Sequence, residues 1–89
     1  MDYFAVAKKS ELRQRGELDQ IFGVSYPMVN AYMTGRSLPT RSKKRVDVAL
    51  KVIDALLDQG KLPFPEDKDK ESRANAVAKI AAHVASHAT

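Results

Sequence analysis

Five cations fall within ten residues, Arg36, Arg41, Lys43, Lys44 and Arg45, and no acid interrupts them. The last four occupy the start of a predicted helix, where the macrodipole disfavours positive charge by some tenths of a kcal/mol each. A helix selected for stability alone would carry Asp or Glu there. Bound phosphate compensates most simply, held by these side chains and by the free N–H groups of the first turn. The plainer alternative is a solvated face. Residues 1–45 hold nine Lys or Arg against four Asp or Glu, whereas residues 46–89 hold six against seven, so the net charge of +4 comes from the first half. A one-sided basic field suits a polyanion, because each neutralised phosphate releases condensed counterions.

Other chemistry finds little support. His83 and His87 are four apart, a spacing at which two imidazoles can share a metal, but no third ligand lies near them in the sequence, so they read as surface histidines near a helix C-terminus. No metal or other cofactor is expected. Asp54 and Asp58 fall on the wet flank of an amphipathic helix and Glu66, Asp67, Asp69 and Glu71 cluster in the connector, so no carboxylate pair sits in an apolar setting that would tune it for acid–base work. There is no glycine-rich phosphate loop and no activated serine. The absence of cysteine excludes disulfides, thiolate metal sites and a cysteine nucleophile. The chain does not read as an enzyme, and no small-molecule substrate is evident.

The elements that would position these residues are helical. A short helix is predicted from Asp2 to about Lys9, turning Phe4, Ala5 and either Val6 or Leu12 inward. Leu18, Ile21 and Phe22 recur at i, i+3, i+4 and predict a second helix over 15–22, closed by Gly23. Ser25 is a natural N-cap for a third, which carries Val29, Tyr32 and Met33 on its inner face and ends at Gly35. Pro27 then falls at the second helical position, where a missing N–H costs nothing. Thr40 is the expected cap of a long helix to about Gln59, with Val46, Ala49, Leu50, Ile53, Leu56 and Leu57 inward and Gly60 at its end. Lys43 with Asp47, and Lys51 with Asp47 and Asp54, can pair across its turns. Leu62-Pro63-Phe64-Pro65 reads as an extended connector, followed by a mixed-charge run and an alanine-rich helix over 72–87. The apolar stripe of that last helix, Val77, Ile80, Ala81 and Val84, is too narrow to stand alone and must dock or pair.

The segment Leu18-Asp19-Gln20-Ile21-Phe22-Gly23-Val24-Ser25-Tyr26-Pro27-Met28-Val29-Asn30-Ala31-Tyr32-Met33-Thr34-Gly35 resembles the helix-turn-helix of the Cro and lambda-repressor-like family. The resemblance covers about residues 14–57, including the Gly-Arg-x-x-Pro loop and the helix after it. It departs at Asp19, where a small residue is usual, and at Arg15, where Gln is usual, and Gly16 weakens the first helix. The resemblance implies an all-α domain of four or five helices that binds double-stranded DNA, its second motif helix in the major groove. It assigns base reading to Tyr26, Pro27, Asn30, Ala31 and Thr34, and that chemistry is available: Asn30 can contact adenine, and Ala31 or the Tyr26 ring a thymine methyl. For Tyr26 and Pro27 the alternative is a hydrophobic staple or a protein-binding surface. Phosphate contacts are expected from Arg15, Ser25, Arg36, Arg41, Lys43 and Lys44, with Lys9 a weaker candidate.

The expected organisation is a DNA-binding domain over 1–62, a connector over 63–71 and a C-terminal helix over 72–89 that mediates self-association through Val77, Ile80, Ala81 and Val84. The expected protein is a homodimeric, Cro-like repressor or autoregulator of phage or plasmid type on a palindromic operator. The alternative is an antitoxin-type or other interaction module whose C-terminal segment binds a partner protein. With no leader or apolar run of bilayer length in the sequence, a cytoplasmic protein associated with the nucleoid is expected, with no membrane partner.

Overall fold

The computed structural model describes residues 3–12 and 14–88, so Asp2 and Arg13, which entered the reading of the first helix and its end, lie outside the described residues. Every regular element among them is helical: α1 (Tyr3–Lys9), α2 (Leu18–Phe22), α3 (Tyr26–Met33), a single 3-10 turn (Thr40–Ser42), α4 (Lys43–Asp58) and α5 (Lys70–His87). No helix among the described residues is long and apolar enough to cross a membrane.

Local chemistry explains most boundaries. After α1 the chain turns back with Glu11 at φ 54°, and the buried Ser10 is fully employed, its hydroxyl donating to the Ala7 carbonyl at 2.6 Å and accepting from the Leu12 N–H at 3.4 Å. The inward contacts of this segment are Val6, Ala7 and Leu12, while Phe4 and Ala5 are only half-buried. Helix α2 is shorter than its periodicity predicts. Gly16 sits at φ 90°, and the two acids that follow reach back to brace the turn before the helix: Glu17 Oε1 accepts from the Gln14 N–H at 3.1 Å, and Asp19 Oδ1 from the Gly16 N–H at 2.8 Å. The carboxylate of Asp19 thereby finds its donor in the turn preceding its own helix.

Helix α3 starts as its sequence indicates. Ser25, in extended conformation, accepts the Met28 N–H at 3.4 Å, and Pro27 occupies the first turn. Its end is a Schellman closure: the Gly35 N–H donates to the Tyr32 carbonyl at 3.0 Å and the Arg36 N–H to that of Ala31 at 2.9 Å, with Gly35 at φ 95°. Thr40 does not cap α4. It opens the 3-10 turn, and α4 follows with no side-chain cap at either start.

Phe22, Leu12, Leu18, Ile21, Leu50, Ile53, Val77 and Val84 are the most deeply buried large side chains, and they come from α2, α4, α5 and the turn after α1. Tyr32 meets Phe4 and Phe22 edge-on, with centroids 6.1 and 5.9 Å away, joining α3 to α1 and α2. Helix α5 packs on both α2 and α4. The radius of gyration, 12.1 Å, matches the roughly 12 Å of a folded single domain this long, as a docked α5 requires. The last helix is therefore part of the domain body rather than an appendage beyond residue 62.

Candidate nucleic-acid interface

Helix α3 is held from one side and open on the other. Val29 is buried and Tyr32 and Met33 are half-buried, whereas Pro27, Asn30 and Thr34 are exposed and Tyr26 and Ala31 lie half-buried between the two faces. All five residues assigned to base reading thus share an outward surface about two turns long. Thr34 is the C-cap rather than a helical residue, and its exposed hydroxyl donates to the Ala31 carbonyl at 2.9 Å. Ser25 lends its oxygen to the cap and remains exposed.

Cations surround this surface. At its start the Arg15 guanidinium lies over the Tyr26 ring, 5.3 Å from the centroid, which fixes the ring and holds a charge beside it. Along one flank Lys8 shares a cavity of about 240 Å³ with Leu18, Val29, Asn30 and Met33. At its end Arg36 follows the Gly35 closure and shares a cleft of about 440 Å³ with Lys43, lined beneath by Tyr32, Leu38 and Val46. Arg41 and Lys44 are exposed nearby in the chain. Among the described residues Asp47 is the one acid lining that cleft, and none lines the cavity beside Asn30.

Three side chains have roles that sequence reasoning missed. Lys8, four residues after Phe4, sets its ammonium over that ring at 4.6 Å and lines the cavity beside Asn30. Arg45, unlike its basic neighbours, is half-buried and closes α2, donating from Nε to the Ile21 carbonyl and from Nη2 to that of Gln20, both at 3.1 Å. Arg73 forks onto the buried Glu17 and also donates to the Glu11 carbonyl at 2.9 Å.

The residues expected to mediate self-association are placed otherwise. Val77, Ala81 and Val84 are 1, 5 and 0% exposed within their own chain, because α5 fills the gap beside α2 and α4, and only Ile80 of the four retains an open edge. A seam built on the other three would require α5 to leave its own core. His83 and His87 stack at 4.2 Å between centroids, and among the described residues no group of three or more His, Cys, Asp or Glu is arranged to hold a metal. Comparisons of the chain with protein-family models, with curated proteins and with solved structures find no match.

Proposed function

We propose that this chain is a sequence-specific double-stranded-DNA-binding transcriptional regulator of Cro-like repressor type, with α2 bracing on the backbone and α3 lying in the major groove. One observation carries the reading: the outer row of α3 is free of acids and has Arg15 at its start, Lys8 on its flank and Arg36 beyond its end. The groove admits one helix of this width, and its edges offer partners for a carboxamide such as Asn30 and for small apolar contacts such as Ala31. Arg15, Arg36, Arg41, Lys43 and Lys44 supply the sequence-independent attraction. With the apolar stripe of α5 spent on the core, two copies on a palindrome would bind adjacent half-sites about 34 Å apart on the DNA itself rather than through that helix.

Selection of duplexes from a random pool, followed by anisotropy titration at two salt concentrations, tests the proposal. The expected result is an enriched half-site, with log affinity falling against log salt at a slope of about −5 to −6 for six phosphates, that of Lys8 included. Failure to enrich any sequence, or a slope near zero, would refute it.

A further inference from the structure

The flank of the domain lined by α4 and α5 carries an apolar groove that the DNA reading does not use. Val52 and Leu56 of α4 face Ile80 of α5 across a cavity of about 350 Å³, with Lys79 and His83 at its edge. A second cavity of about 290 Å³ continues it, sharing Leu56, Lys79 and Ile80 and reaching Leu62, Phe64 and Lys61. Together they form one channel beside about two turns of α5, from Ala76 to His83.

The charges around this channel identify its occupant. Among the described residues no acid lines either cavity, while Lys79 lines both and Lys61 the second. At about 100° per residue, Asp47, Asp54 and Asp58 fall on the flank of α4 turned away from Val52 and Leu56, and Asp47 indeed lines the cleft of Arg36 and Lys43 instead. By the same count Glu71 lies on the opposite side of α5 from Ile80. A second copy related by two-fold symmetry presents the same face to itself, so each charged contact across the axis would oppose like charges. We infer that this channel binds an amphipathic helix of a partner protein, with apolar anchors at i, i+3 or i+4, and i+7 seated over Leu56 and Ile80, and Asp or Glu flanking them to meet Lys61 and Lys79. The inference stands independently of DNA binding.

The test uses the full 89-residue chain and two labelled 16-residue peptides that share a leucine stripe, one with glutamates and one with lysines on the remaining face. Anisotropy is expected to show the acidic peptide binding at least tenfold tighter than the basic one, with amide shifts concentrated at Leu56, Lys79 and Ile80. Lys79→Glu, at an exposed position, is expected to abolish that preference with an unchanged melting midpoint, and Ile80→Glu to weaken both peptides. Equal affinity for the two peptides, or a preference that survives Lys79→Glu, would overturn the inference. So would a concentration-dependent dimer in sedimentation that Ile80→Glu dissolves, since the occupant would then be a second copy.

Discussion

The Arg73 guanidinium grips the carboxylate of Glu17, which lies 56 residues away in sequence, donating from Nε to one oxygen and from Nη2 to the other at 3.0 Å. Side-chain exposure is 19% for Arg73 and 7% for Glu17, so the pair is largely withdrawn from water. Glu17 also receives the Gln14 N–H, and Arg73 packs over the Phe64 ring at 5.3 Å, so one contact ties the start of α5 to the turn before α2 and to the connector. The pair holds the guanidinium pKa above its ordinary value. Arg73→Met leaves a buried carboxylate without its cation and is expected to destabilise by about 2–4 kcal/mol, the cost of breaking a buried pair reduced for the open edge of the arginine. Adding Glu17→Gln should restore at least about 1 kcal/mol, because the amide oxygen can still accept from Gln14. Urea unfolding of the single and double variants checks both figures.

Because α5 completes the core, a chain ending at residue 69 should not fold. Removal of Val77, Ala81 and Val84 uncovers Leu18, Ile21 and Phe22, each worth about 1.5–3 kcal/mol of burial, against a net stability of about 5–15 kcal/mol for the whole domain. Collapse of amide dispersion in the proton–nitrogen spectrum of the truncated chain is the expected outcome. A well-dispersed spectrum would show that residues 1–69 stand alone.

What was legible in the sequence is what local chemistry decides. Ser25 as a cap, Pro27 in the first turn, Gly23 and Gly35 as stops and Val29 as an anchor each follow from residues within four positions of one another. What stayed hidden depends on distant partners. Arg45 resembles its basic neighbours until the carbonyls of Ile21 and Gln20, 24 and 25 residues earlier, are brought to it. The stripe of α5 gives the same pattern whether it docks or dimerises, and the contact favouring docking, Glu17 with Arg73, leaves no periodic trace. Of the candidate interface, the outer row of α3 could be read and its Lys8 flank could not, since that placement depends on how α1 meets α3.

Gly23 should be the least replaceable glycine. It sits at φ 70°, and an added Cβ would lie 2.8 Å from Nε of Arg45, whose two hydrogen bonds close α2. Gly23→Ala is expected to cost about 2–4 kcal/mol, combining left-handed strain with displacement of that cap. Gly16→Ala, also at positive φ but with open space around it, should cost only about 1–2 kcal/mol. Equal shifts in their denaturation midpoints would show that the Arg45 closure adds nothing.

The first turn of α5 should respond to acid. Asp69 accepts the Ser72 N–H at 3.4 Å, and hydrogen bonds from Ser72 hold the Asp69 carboxylate below its ordinary pKa. A depressed folded pKa means that this contribution is present above the unfolded carboxylate value and is lost as pH falls through the folded one. An NMR titration should show the Ser72 amide moving upfield as Asp69 is protonated, at a pH below that of an unstructured aspartate, with Asp69→Asn removing the transition. A titration at the ordinary aspartate pH would remove the cap from the account of this helix.

The proposed interface predicts two distinguishable kinds of damage. Asn30 is exposed on the outer row, where a carboxamide would make a bidentate contact with one base pair. Asn30→Ala should therefore cost about 1–3 kcal/mol on the selected site and little on random duplex, flattening preference at one position. Lys8, beside Asn30 on the flank of α3, would meet a phosphate instead. Lys8→Ala should weaken selected and random duplexes by the same factor and make the salt slope shallower by about 1. Titrating both variants against both duplexes at two salt concentrations separates the roles. If Lys8→Ala changed sequence preference, or Asn30→Ala weakened all duplexes alike, the helix would sit in the groove in another orientation.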